Sequence, residues 1–191
     1  GLAAEQVKNN LELDRGSELK DTLARAVVGS LYRSQTFRDA ALPNKVATPI
    51  FARYRPGMQY GDHVDDPVMG GAGAQYRSDV SCTVFLSDPA TYTGGELVIH
   101  TTYGEERIKM NAGDAVIYPS HSVHRVAEVT EGERLAAVLW IQSLIRDAAR
   151  RELLYELGLA REALLRDRAG ERESTLVDRS YVNLLRMWAE T

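Results

Sequence analysis

The sequence predicts an α+β chain: a β-rich core of the sandwich or barrel kind, set between an N-terminal helix and a C-terminal helical segment. Three observations predict it. Apolar residues recur every four positions near the start, seven β-rich runs separated by turn residues fill the middle, and helical patterning returns after Ile145. A chain of 191 residues can bury a sizeable core, and 44% hydrophobic against 26% charged residues excludes wholesale disorder. The expected divisions are 1–44, an N-terminal helical support; 45–144, the β domain; and 145–191, the C-terminal helical segment.

Leu19, Leu23, Val27 and Leu31 set the period of an amphipathic helix over 17–41, with Ser17 and Glu18 as its start and Pro43-Asn44 as its stop. Strands are expected at 49–54, 80–86, 96–100, 105–110, 115–118, 123–129 and 134–142. Pro56-Gly57, Ser87-Asp88-Pro89, Thr93-Gly94-Gly95, Asn111-Ala112-Gly113 and Glu131-Gly132 are the turn chemistry among them. Residues 146–191 carry nine Arg and nine acidic residues and no Lys, the composition of a solvated helical face with i,i+4 ion pairs. Tyr181, Leu184, Leu185 and Trp188 form one apolar stripe, which must pack on the core or on a second subunit, so a homodimer is a candidate assembly.

A net charge of -4 argues against a nucleic-acid partner, and the three Phe and two Trp are few for base stacking. No apolar run approaches the roughly 20 residues of a membrane span, so no membrane partner is expected. No signal peptide is visible, and the cytoplasm is the expected compartment. The lone Cys82 can form no internal disulfide and reads as a core residue.

Four histidines are present: His63, His100, His121 and His124. In an extended segment His63 and Asp65 project from one face, offering an imidazole nitrogen and a carboxylate oxygen to a shared point. His121 or His124 could complete the set. Two His and one carboxylate occupy one face of an octahedral ferrous ion and leave three positions open for cosubstrate and dioxygen; zinc tolerates the same ligands. Arg134 lies ten residues beyond His124, beside the apolar run Leu135-Ala136-Ala137-Val138-Leu139. A buried guanidinium needs an anion there, either a bound carboxylate or a protein carboxylate such as Glu128 or Glu133.

These residues, in this order, resemble the iron/2-oxoglutarate dioxygenases of the prolyl 4-hydroxylase-like type, and more closely the bacterial PKHD-type hydroxylases linked to iron uptake. The similarity runs along the chain through Val7-Lys8-Asn9-Asn10-Leu11, Tyr60-Gly61-Asp62-His63-Val64-Asp65, Arg77-Ser78-Asp79-Val80-Ser81, Phe85-Leu86-Ser87-Asp88-Pro89, Tyr92-Thr93-Gly94-Gly95-Glu96-Leu97, Tyr118-Pro119-Ser120, His124-Arg125-Val126 and Trp140-Ile141-Gln142-Ser143. Relatives of this type carry a further segment before the Val7 stretch. The resemblance implies a double-stranded β-helix (jelly roll) for 45–144, with His63, Asp65 and His124 as metal ligands and catalytic centre, and Arg134 on the distal carboxylate of 2-oxoglutarate. The family places the ligand directly before Arg125-Val126, which selects His124 over His121; His100 is expected at the rim.

Tyr54 is implied as a wall of the cosubstrate pocket. Met69-Gly70-Gly71-Ala72-Gly73 reads as a mobile lid, with Arg77 as a substrate contact. The implied cofactors are Fe(II), 2-oxoglutarate and ascorbate (vitamin C) as reductant. Dioxygen and an unidentified organic substrate are the implied partners, whether a prolyl- or lysyl-like peptide or a small molecule such as a siderophore. The implied reaction hydroxylates an unactivated C–H with release of succinate and carbon dioxide. Asp65 favours hydroxylation over halogenation, since related halogenases lose that carboxylate. The rival readings are a catalytically silent metal/2-oxoglutarate-binding sensor module, a zinc hydrolase and a nucleic-acid demethylase.

Overall fold

The computed structural model describes residues 5–14 and 16–190. Short strands β1 (Lys8–Asn9) and β2 (Leu11–Glu12) precede helices α1 (Glu18–Arg33) and α2 (Gln35–Ala41). The Ser17 hydroxyl accepts the Lys20 N–H, and acidic Glu18 and Asp21 with basic Arg33 at the far end complement the helix dipole. The one helix expected over 17–41 is two. Ser34 is extended, its N–H closes α1 on Leu31 O, and its hydroxyl caps α2 by accepting the Phe37 N–H at 3.3 Å. A serine hydroxyl that competes for backbone donors starts a new helix here. Leu42, at φ 44, ends α2 immediately before Pro43.

The β-region runs through β3 (Pro43–Val46), β4 (Ile50–Tyr54), β5 (Gln59–His63), β6 (Val68–Met69), β7 (Tyr76–Arg77), β8 (Val80–Phe85), β9 (Tyr92–Gly94) and β10 (Leu97–Thr101). It continues with β11 (Gly104–Ile108), β12 (Ala115–Pro119), β13 (His124–Val126), β14 (Val129–Gly132) and β15 (Arg134–Ser143). One antiparallel sheet has the order β1-β5-β13-β10-β11 and the other β12-β8-β15-β4-β2, with β3 also on β15. The architecture is a jelly roll.

The run expected as one strand over 123–129 is divided: β13 lies in the first sheet, whereas β14 pairs with β9. Ala127 N–H and Gly95 N–H, bonded to Glu96 O and Glu128 O, carry the chain between the two pairings. The polar run of β5 escapes an apolar-pattern reading because only part of one face is covered.

Alternation along β8 separates two environments. Val80, Cys82 and Val84 join Leu139 and Ile141 in a core covered by Ala24, Leu31, Phe37 and Ala41 of the helices. Ser81, Thr83 and Phe85 face the other way. Cys82 is fully buried, as expected, and burial pushes its thiol up to about 12. Beyond the β-core, α3 (Ala148–Arg168) is capped by Asp147, and α4 (Arg172–Trp188) folds back on it. The apolar stripe of α4 covers α3: Tyr181 stacks on Arg161 and Trp188 on Arg150, with Arg161 donating to Asp178 at 2.6 Å. Among the described residues no helix is long and apolar enough to cross a membrane.

Gly94 sits at φ +74 in the β9–β14 pairing, and a Cβ there would lie 2.0 Å from the backbone oxygen of Glu128. Gly94→Ala is therefore expected to cost more than about 2 kcal/mol, from backbone strain and a clash that backbone must absorb. Urea unfolding measures it; unchanged stability would contradict the close approach.

Candidate functional site

Strands β5 and β13 are antiparallel neighbours, and His63 and His124 are directly paired across them. Their rings lie 4.2 Å apart between centroids. Asp65, two residues past the end of β5, turns its carboxylate to both: Oδ1 is 3.8 Å from His63 Nε2 and Oδ2 is 3.8 Å from His124 Nε2. One ligand atom from each of the three lies within 4.8 Å of the others, the spread of a metal-binding set. All three side chains are nearly sealed from solvent.

Each imidazole is fixed by its other nitrogen. His63 Nδ1 lies 2.8 Å from Gly61 O and His124 Nδ1 lies 3.0 Å from Ser122 O. A carbonyl can only accept, so Nδ1 carries the proton and Nε2 keeps a free lone pair toward the shared point. Burial is the largest influence on His63 and lowers its pKa, which keeps the ring neutral. Tyr60 stacks on His63 at 3.8 Å, and Tyr118 meets His124 edge-on at 5.0 Å.

From the opposite sheet, the first residue of β15 is Arg134, paired directly with Tyr54 at the end of β4. Arg134 is 1% exposed, and none of its three guanidinium nitrogens has a hydrogen-bond partner among the described residues. Glu133, one of the partners weighed from sequence, faces the other way and accepts from Arg53 Nε at 2.6 Å. Burial pushes the Arg134 guanidinium below its usual range, and the Tyr54, Tyr92 and Tyr118 phenols are the groups that ease its charge. Arginine nevertheless stays protonated, so a positive charge is held in the interior without an anion. Tyr54 is 2% exposed, its ring 5.1 Å from the guanidinium and its hydroxyl 3.1 Å from Asn10 Nδ2. Burial raises the Tyr54 and Tyr60 pKa values, so both phenols remain neutral donors.

The triad, Tyr54 and Arg134 line one cavity of about 70 Å³, walled further by Thr83, Leu97 and Tyr118. A second cleft shares Lys8, Ile50, Tyr60, Asp65 and Trp140 with it and opens outward past Lys20, Met69 and Tyr76. The donor set of two imidazoles, each held through Nδ1 on a backbone carbonyl, and a carboxylate suits Fe(II), and the orphaned guanidinium suits a carboxylate ligand.

Other expectations are settled by position. His121 is exposed and lines a different cleft with Arg146 and Asp147. His100 lies in a surface network with Asp62, Glu105 and Arg125, at the rim. Arg77, expected as a substrate contact, forms ion pairs within the protein. Its guanidinium is held by Asp79 at 3.2 Å and Glu190 at 3.1 Å, which joins the C-terminal residues to the β-core. The glycine-rich stretch expected as a lid forms the tight connection between paired strands β6 and β7, where a Cβ on Gly70 would lie 2.4 Å from Ala74 O. Tyr60, Tyr118, Asn10 and Ser81 are site residues that sequence reasoning missed; all four lie inside the stretches of family similarity but carry no local signal of their contacts.

The 2OG-Fe(II) oxygenase superfamily model matches residues 49–142. A PKHD-type hydroxylase of Thioalkalivibrio sulfidiphilus is 52% identical over 190 residues, covering all of this chain and 85% of the relative. A PKHD-type hydroxylase of Polaromonas is 46% identical over 194 residues, covering all of this chain and 86% of the relative. Among solved structures, a prolyl-4-hydroxylase from Pseudomonas putida is similar in fold, at a TM-score of 0.50 and 23% identity over 74% of this chain and 76% of that one.

Proposed function

The chain belongs to the PKHD-type hydroxylases of the 2OG-Fe(II) oxygenase superfamily, Fe(II)- and 2-oxoglutarate-dependent enzymes, and from that membership we propose the following assignment of its residues. His63, Asp65 and His124 hold the ferrous ion, and Arg134 binds the distal carboxylate of 2-oxoglutarate while Tyr54 lines its pocket. The observation that carries this reading is the sealed, unpartnered guanidinium of Arg134 in the same cavity as the three ligand atoms. A buried charge without an anion is heavily penalised, so the site is built for a ligand that supplies one.

The bound iron with 2-oxoglutarate and dioxygen supplies oxidising chemistry that hydroxylates an unactivated C–H and releases succinate and carbon dioxide, with ascorbate as reductant. The protein's part is binding, orientation and exclusion of water. The carbonyls of Gly61 and Ser122 fix the imidazole tautomers. Arg134 fixes one end of the cosubstrate, and Leu97, Val126 and Val138 keep the cavity wall apolar. The organic substrate approaches through the outer cleft past Tyr76 and Met69, beside Asp65.

The test is succinate formation from 2-oxoglutarate by anaerobically iron-loaded protein exposed to oxygen, with and without ascorbate. Iron-dependent succinate that disappears in Arg134→Ala is the expected result. Failure of the iron-loaded protein to bind 2-oxoglutarate would defeat the assignment.

Metal affinity should depend on pH in a defined sense. Metal binds the neutral imidazole, and burial lowers the His63 pKa, so the ring is already neutral at pH 7. Mn(II) affinity is expected to be level above a pH of about 6.5, the ordinary histidine value, and to fall as pH drops further. Affinity that still climbs steeply between neutral and alkaline pH would show that these imidazoles do not bind the ion.

A further inference from the structure

Ser81, the second residue of β8, is fully buried, flanked in register by Tyr118 on one neighbouring strand and Trp140 on the other. A hydroxyl in such a place is costly unless it is bonded, and alanine would fill the space at no such cost. Ser81 Oγ lies 2.5 Å from Asp65 Oδ2 and 2.8 Å from Ser120 Oγ, and Ser120 is itself 3% exposed. The direction of these bonds follows from counting protons. An ionised carboxylate can only accept, so the single Ser81 proton goes to Asp65, and Ser81 must accept the proton of Ser120. Among the described residues, Ser81 is the hydrogen-bond donor that the structure gives to this carboxylate.

We propose that Ser81, polarised by Ser120, is the positioning residue for Asp65: it fixes the carboxylate plane between the two imidazoles before any metal binds. The inference rests on the assignment of Asp65 as a ligand made above. A carboxylate next to a strand end has free χ1 and χ2 rotation unless something holds it, and a ligand held in advance binds without the entropic cost of ordering. Ser120 touches neither the imidazoles nor the carboxylate in these contacts, so its influence passes through the Ser81 hydroxyl.

The experiment is titration of the full chain with Mn(II), together with the visible absorption of the Co(II)-loaded protein, for wild type, Asp65→Ala, Ser81→Ala, Ser120→Ala and the double serine variant. Ser81→Ala is expected to weaken Mn(II) binding about 10-fold to 100-fold and to shift the Co(II) bands, with thermal melting reporting a folded protein. Ser120→Ala should weaken binding less, and should add nothing on the Ser81→Ala background. Ser120→Ala also keeps the proposal testable should Ser81→Ala fail to fold. Unchanged affinity and bands in both single variants, with Asp65→Ala still losing the metal, would overturn the positioning role alone. Additive losses in the double variant would overturn the relay through Ser81. Metal binding unaffected by Asp65→Ala would instead sink the ligand assignment on which the proposal stands.

Discussion

Replacing Arg134 with methionine should make the ligand-free protein more stable while largely abolishing its affinity for 2-oxoglutarate. The two effects share one cause. Arg134 is 1% exposed, and no protein carboxylate meets its guanidinium among the described residues, so the fold carries the desolvation of a charge that only nearby aromatic rings ease. Apolar residues of similar volume in place of buried charges are often stabilising by about 1–4 kcal/mol. For a chain of this size, each 1 kcal/mol is about 2–4 °C in Tm. The same charge becomes favourable once a carboxylate meets the guanidinium, because charged hydrogen bonds contribute about 1.5–3 kcal/mol each. Losing that contact should raise the 2-oxoglutarate requirement by about 100-fold. Differential scanning calorimetry with and without the cosubstrate measures both. Wild type should gain stability from 2-oxoglutarate by linkage, and Arg134→Met should start higher and gain little. A variant that melts lower and still binds the cosubstrate would show that Arg134 is an ordinary core element.

How much of this could be read from the chain depends on whether the deciding contact is local. The alternation of β8, the apolar run of β15 and the turn residues between strands are local, and they led to the correct fold class. His63 and Asp65 share a focus because two residues along an extended backbone return to one face, again a local fact. The break at Ser34 was hidden because no Gly or Pro stands between Leu31 and Leu42, and only the serine's competition for amides divides the helix. Long-range partners were not legible: Asn10 reaches Tyr54 across 44 positions, and Ser81 meets Asp65 across 16. Arg77 shows the same limit from the other side. Beside a glycine-rich stretch it looks free for a substrate, yet Glu190, at the far end of the chain, holds it.

The choice between His121 and His124 leads to the sharpest expected contrast. The two are three residues apart, but His121 lies in the turn that follows β12, whereas His124 opens β13 opposite His63, so only His124 reaches His63 and Asp65. The 5% exposure of His124, its Nδ1 bond to Ser122 O and its direct pairing with His63 place its Nε2 at the shared point. His121 is exposed beside Arg146 and Asp147, in a cleft that none of the three ligand atoms lines. Removing groups that merely orient a ligand typically costs 10-fold to 100-fold in metal affinity, and deleting the ligand itself should exceed about 100-fold. His124→Ala is therefore expected to lose Mn(II) binding and, with iron, all succinate formation, whereas His121→Ala should match wild type in both. A thermal-shift measurement separates loss of the site from loss of the fold: metal should raise the Tm of wild type and His121→Ala but leave His124→Ala where it started. Metal protection retained in His124→Ala and lost in His121→Ala would move the centre to the exposed cleft of His121, Arg146 and Asp147, away from the cavity that Arg134 lines.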